Sequence, residues 1–215
     1  MASLSIKNQS TKYKIITPEF RVSFPQVFVA KKVQETDKNA KFSVQMLFRT
    51  AANPAKPDTA KEGIVDLKPL SAVVVAYVTE LFGADKNKWP KLKMPWRKGE
   101  EKDYDGYGPG IIFFGASSMN RPGLVYSDGK TVITLEADFY AGCYARAAIN
   151  PFYYKFMGNE GISFGLQNLI KTRDGEPFGG RSKPEDDFES IAAPGDFQGA
   201  AGAVGGGIED AGIGL

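Results

Sequence analysis

The chain has 215 residues, 42 % of them hydrophobic, with 24 glycines, 13 prolines and a formal net charge of +2. That length predicts one domain, or one domain with an appendage. A single cysteine, Cys143, excludes an intramolecular disulfide and a cysteine-based zinc cluster, and the absence of histidine excludes the usual zinc and haem ligand sets and Ser-His-Asp or Cys-His catalysis. A protein without a cofactor is expected. No apolar run approaches the roughly 20 residues needed to span a bilayer. The opening "MASLSIKNQS" lacks the apolar stretch of a signal peptide, so a cytosolic protein without membrane attachment is expected.

In chain order, "KIITPEFRVSFPQVFVA" (residues 14–30) reads as one long strand or two, broken near Pro18 and Pro25. "KFSVQMLFR" (residues 41–49) alternates. Phe42, Val44, Met46 and Phe48 fall on one face, Lys41, Ser43, Gln45 and Arg49 on the other, and Leu47 breaks the pattern. "DLKPLSAVVVAYVTELFG" (residues 66–83) predicts the principal helix, capped by Asp66, with Pro69 in its first turn and Gly83 at its end. Leu70, Val73, Val74, Tyr77, Val78 and Leu81 follow helical spacing and should face the core.

Next comes "KNKWPKLKMPWRKG" (residues 86–99), with six basic residues, no acidic one, and both tryptophans beside prolines. Lys88, Lys91, Lys93, Arg97 and Lys98 offer charge along an extended segment. Trp89 and Trp96, with Tyr104 and Tyr107 just downstream, offer ring faces. Single-stranded nucleic acid is bound by this combination, a positive track for phosphates and aromatic faces for bases. The alternative is that the tryptophans anchor a long loop and the lysines are simply solvated.

"GIIFFGASS" (residues 110–118) reads as a short buried strand, and "LVYSDGKTVITL" (residues 124–135) as a hairpin turning at Asp128-Gly129. In "FYAGCYARAAINPFYY" (residues 139–154), Cys143, Ala145, Ala147 and Ile149 form an apolar face, with Tyr144, Arg146 and Phe152 opposite. "GISFGLQNLIKTRDG" (residues 161–175) predicts a last strand with a basic end, Lys171 and Arg173. Gln45, Arg49, Tyr144 and Arg146 would share a polar strand face suited to phosphates or bases, or to cross-strand pairing with carboxylates. Five or more strands with one helix predict a mainly β protein, an OB-fold-type five-stranded barrel with long loops.

The charge is divided. Residues 1–183 carry 27 basic and 18 acidic residues, a net of +9, while residues 184–215 carry seven acids and no base. A basic body favours polyanions through counterion release. The Gly/Ala-rich tail has little to bury and is expected to be flexible. Glu185, Asp186, Asp187, Phe188 and Glu189, and later Glu209 and Asp210, make either a solubilising tail or a partner-binding one that competes with nucleic acid for the body.

The stretch "ADFYAGCYARAAINPFYY…GISFGLQNLIKTRDGEPFGGR…PEDDFESI" resembles the phage single-stranded DNA-binding proteins of the replication and recombination type, which have an OB-fold and an acidic C-terminal tail. The resemblance covers most of residues 1–190. It implies a non-enzymatic protein of the bacterial host's cytoplasm that coats single-stranded DNA with little sequence preference and contacts phage replication proteins through its tail. Dimers are common in such proteins, and some members also bind duplex DNA. The tail ends "IEDAGIGL" rather than in an aromatic residue, which moves the expected partner role towards "PEDDFESI". The competing readings are a general duplex-DNA or RNA binder, a metal-dependent nuclease and a structural virion protein.

Overall fold

The structure, a computed structural model, describes residues 12–32, 39–51, 63–156 and 158–179, apart from the Lys88 side chain. The acidic tail (residues 184–215), with Glu185, Asp186, Asp187, Phe188, Glu189, Glu209 and Asp210, lies outside the described residues. The strands are β1 (Ile15–Ile16), β2 (Phe20–Lys31), β3 (Lys41–Arg49), β4 (Arg97–Lys98), β5 (Ile111–Ser118), β6 (Gly123–Val125), β7 (Tyr144–Phe156) and β8 (Asn159–Arg173). The helix α1 (Lys68–Phe82) lies between β3 and β5.

Five of these strands close on themselves. Antiparallel ladders join β2 to β3, β3 to β5, β7 to β8 and β7 to β2, and a short parallel ladder joins β5 to β8. The result is the five-stranded OB-type barrel. Closure removes the open sheet edges that would otherwise present unpaired backbone groups. The interior holds Phe20, Val22, Met46, Phe48, Phe114, Ile149, Ile162 and Phe164, each no more than 2 % exposed. Burying each such side chain contributes about 1.5–3 kcal/mol before chain entropy is set against it.

The two prolines of the first strand act differently. β1 and β2 pair with the same edge of β7 and are separated at Pro18. Thr17 bridges the break: its N–H donates to the Ala147 carbonyl and its Oγ1 accepts from the Ala147 N–H, both at 2.9 Å. Pro25, expected as a possible break, instead sits in a bulge. Ser23 faces Gln45 and Gln26 faces Ser43, so Phe24 and Pro25 together oppose Val44. A bulge tolerates the missing proline N–H without ending the strand.

The helix runs as expected at its ends, with one adjustment. Leu67 occupies the cap position, while Asp66 Oδ1 accepts from the Lys68 N–H at 2.9 Å. Gly83 terminates the helix at φ +88°, a conformation open to glycine. Leu70, Val74, Tyr77 and Val78 are buried in the barrel core, but Leu81 is exposed, at the end of the apolar stripe. The predicted hairpin at Asp128-Gly129 turns as expected, with the Gly129 N–H donating to the Tyr126 carbonyl at 2.9 Å. Its second half forms an isolated bridge, Val125 to Val132, flanked by Tyr126 N–H to the Thr131 carbonyl and Ile133 N–H to the Leu124 carbonyl, both at 2.9 Å.

Lys171 departs from the expected basic strand end. It is 8 % exposed and paired to Asp174 at 2.7 Å. The cause is a register shift in the β7–β8 ladder, where Ala148 faces Asn168 but Ile149 faces Leu166. The extra residue reverses the alternation, so Leu169 and Lys171 turn inward.

Candidate nucleic-acid interface

The segment after α1 is part of the barrel wall. The Lys93 N–H donates to the Glu160 carbonyl, and the Lys93 carbonyl accepts from the Ile162 N–H, both at 2.9 Å. Further on, Arg97 and Lys98 form β4 against Phe113 and Ile112. The segment thus pairs with β8 and with β5. Its apolar members Trp89, Leu92, Met94 and Trp96 pack on the core, while Lys91, Lys93, Arg97 and Lys98 are exposed. Trp89 is tied further by its Nε1–H, which donates to the Gly83 carbonyl at 2.8 Å. Both tryptophans therefore have the placement of anchors, and the charges lie outside.

The outer surface of the barrel is organised by cross-strand register. One row of partners reads Arg173, Tyr144, Arg21, Leu47, Phe113, Arg97 across β8, β7, β2, β3, β5 and β4. Cations and rings interleave along it. The Arg173 and Arg21 guanidiniums lie 3.2 and 5.4 Å from the Tyr144 ring centre, and Arg97 lies 5.5 Å from that of Phe113. Part of the row is covered. The Tyr107 ring packs edge-on to Phe113 at 5.0 Å, and its hydroxyl donates to Ser23 Oγ at 3.2 Å. Phe178 lies over Arg21 at 4.5 Å, and the Arg21 side chain donates to the Glu176 carbonyl at 2.6 Å. This cover explains Leu47: it faces outward yet is 3 % exposed.

Two grooves remain open. The first, of about 600 Å3, is lined by Arg49, Tyr107, Tyr144, Arg146 and Arg173, together with Arg21 and Phe178. It also contains Glu19, Asp105 and Glu176, so its charge is largely balanced. Arg173 donates to Glu19 at 2.8 Å, and Asp105 accepts from the Gly179 N–H at 2.9 Å. Partial burial pushes the Glu19 carboxyl up, but hydrogen bonds from Arg173 and Thr172 outweigh it and hold Glu19 below its ordinary value. Arg146 is exposed on β7 at the edge of this groove.

The second groove, of about 750 Å3, has a polar floor of Gln26, Ser43, Gln45 and Ser117 on β2, β3 and β5. Lys32, Lys93 and Arg97 line it, and among the described residues no carboxylate does. Lys93 Nζ donates to Asn159 Oδ1 at 2.6 Å, and Arg97 pairs with Glu101 at 2.8 Å. Gln45 Oε1 is buried in this floor and has no hydrogen-bonding partner among the described residues. Phe24 and Tyr154 stand at the sides.

Of the residues singled out in the sequence, the first groove gathers Arg49, Tyr107, Tyr144, Arg146 and Arg173, and the second gathers Gln45, Lys93 and Arg97. Tyr104 stands between them, 5.3 Å from the Phe24 ring and 6.0 Å from that of Tyr107. Trp89, Trp96, Lys91, Lys98 and Lys171 line neither groove. Phe24, Arg21, Lys32 and Phe178 went unread in the sequence. Phe24 gave a signal in hindsight, a ring directly before a proline inside a strand. Cys143 is fully buried and its thiol is pushed up to about 11 by that burial, so it is inert. Among the described residues no group of three or more metal-ligating side chains comes together, and no helix is long and apolar enough to cross a membrane.

Known proteins agree with this architecture. The single-stranded DNA-binding protein of bacteriophage Enc34, solved in complex with single-stranded DNA, is similar at a TM-score of 0.59 and 17 % identity, over 79 % of this chain and 91 % of that one. A second structure of the Enc34 protein is similar at a TM-score of 0.57 and 17 % identity, over 83 % and 91 %. No curated protein sequence matches the chain. Residues 13–198 match the family described as the ssDNA-binding protein of Enterobacter phage Enc34, and the chain belongs to that family.

Proposed function

We propose that this protein coats single-stranded DNA during phage replication and recombination, without catalysing a reaction. The observation that carries this is the second groove. Among the described residues three cations and no carboxylate line it, its floor is the polar face of β2, β3 and β5, and the rings of Phe24 and Tyr154 line it too. This is the face on which OB barrels take oligonucleotides. Lys32, Lys93 and Arg97 neutralise phosphates there, and the exposed rings stack on bases, with a site of roughly 4–16 nucleotides per barrel. The first groove, nearer to charge balance, continues the track through Arg49 and Arg146. Membership of a DNA-binding family agrees with a non-enzymatic role. The acidic tail recruits replication proteins and competes with DNA for the grooves.

The test is fluorescence anisotropy of a labelled oligo-dT at two salt concentrations, for the full chain and for one ending at Lys183, with duplex DNA and RNA as competitors. Salt-sensitive binding that prefers the single strand and tightens on tail removal is expected. Preference for duplex DNA or RNA replaces this reading with the general nucleic-acid binder. No binding ends it.

A further inference from the structure

Phe24 combines two properties that rarely coincide. Among the described residues it is the one non-glycine residue with a positive φ, +44°, and its side chain is 48 % exposed. The left-handed region crowds the Cβ of an L-residue, and the ring of the following proline, Pro25, restricts the backbone further. Such strain persists where the surrounding structure holds it, and it gathers at functional sites. Burial does not compensate here, since half of the ring faces solvent. Its packing partner is Tyr104, which is itself 55 % exposed and meets it edge-on at 5.3 Å. Glycine or asparagine would relax the backbone at this bulge. The sequence holds a strained backbone and a half-exposed ring instead.

The position of the pair gives the strain a use. Phe24 lines the cation-lined groove, and Tyr104 touches Tyr107, which lines the other. The rings Phe24, Tyr104 and Tyr107 thus form a bridge over the part of the barrel surface that Tyr107 covers. Lys102 lies 5.9 Å from the Tyr104 ring centre, and Lys32 lines the groove beside Phe24. Building on the single-stranded DNA reading above, we propose that Phe24 and Tyr104 form a base-stacking step that carries the strand from one groove to the other. The bulge at Phe24–Pro25 lifts the ring out of the strand so that a base can lie on it.

Phe24→Gly and Phe24→Tyr in the full chain test this, read by oligo-dT affinity, by melting temperature and by photocrosslinking to 5-iododeoxyuridine oligonucleotides. Phe24→Gly should lose affinity by about five-fold or more, the low end of one base stack. Its melting temperature should hold or rise as the strain is released. Phe24→Tyr should bind like the parent, and crosslinks should map to Phe24 or Tyr104. Affinity of Phe24→Gly within about two-fold of the parent overturns the step, whatever the melting temperature does. If affinity and melting temperature fall together, the crosslink decides: adducts at Phe24 or Tyr104 sustain the step, and adducts only elsewhere overturn it. A parent protein that binds no oligo-dT removes the DNA reading itself, and the step with it.

Discussion

The Arg173 guanidinium lies 3.2 Å from the centre of the Tyr144 ring while donating to Glu19 at 2.8 Å. Arg173 and Tyr144 are cross-strand partners, so the strands deliver cation and ring to each other. A cation held this way is a structural tie more than a mobile phosphate ligand. Lysine cannot reproduce the planar stack or the forked contact. Arg173→Lys should therefore cost about 1–2 kcal/mol of stability, seen in denaturant midpoints, with a smaller effect on DNA binding.

Arg146 contrasts with it. It is exposed, lines the first groove, and acts on Glu19 only through its field. Arg146→Ala should leave the melting temperature unchanged. If one phosphate is lost, the slope of log affinity against log salt for oligo-dT should flatten by about 0.7. An unchanged slope would take Arg146 out of the DNA track.

Acid should loosen the C-terminal end of β8. Glu19 is held below its ordinary value against the pull of its own partial burial, and Asp174 is held down by hydrogen bonds from Lys171 and Tyr140. A carboxyl with a depressed folded-state pKa contributes stability that is fully present above its unfolded value and lost as pH falls through the folded one. The melting temperature should thus be level from neutrality to about pH 5 and decline below it. Glu19→Gln should lower the plateau and make the decline shallower. An identical decline in the variant would remove Glu19 from the acid response.

The packing of Trp89 and Trp96 on the core predicts a part in stability. Trp89→Phe loses the bond to the Gly83 carbonyl, an exposed acceptor that water can serve, so the cost should be about 0.5–1 kcal/mol. At this chain length that lowers the melting temperature by roughly 1–4 °C. Oligo-dT should quench the tryptophan fluorescence weakly, because both rings pack on the core. Strong quenching would return one of them to the DNA surface.

These residues also mark what was legible in the sequence. Alternation in residues 41–49, the proline and glycine signals of α1, and the Asp128-Gly129 turn were readable because each is set by local backbone rules. The role of Trp89 and Trp96 was not, since an extended basic segment with rings has the same composition whether the rings face DNA or the core. Pairing of Lys93 with Glu160 and Ile162 fixes the segment to the barrel wall, and that contact is remote in sequence. Lys171 was misplaced by the one-residue shift near Gln167, which no pattern of alternation announces. Leu47 broke its pattern for a tertiary reason: its cross-strand neighbours Phe113 and Arg21 are themselves packed under Tyr107 and Phe178.

Gln45 offers the last and sharpest separation of stability from binding. Its Oε1 is buried in the floor of the cation-lined groove with no hydrogen-bonding partner among the described residues, at a site where Gly115 across the strand leaves room beside the amide. A buried acceptor left unpaired costs about 1–3 kcal/mol, so the free protein carries this as a deficit. A nucleobase amino or imino group entering the groove would relieve it. Gln45→Met keeps the length of the side chain and removes the acceptor. The variant should be more stable than the parent by about 1 kcal/mol in denaturant unfolding, and should bind single-stranded DNA more weakly, since the relief is no longer available on binding. The salt dependence should not change, because no phosphate contact is lost. Greater stability with undiminished affinity would mean that water serves this acceptor in the complex; a loss of stability would mean that the amide is already satisfied in solution.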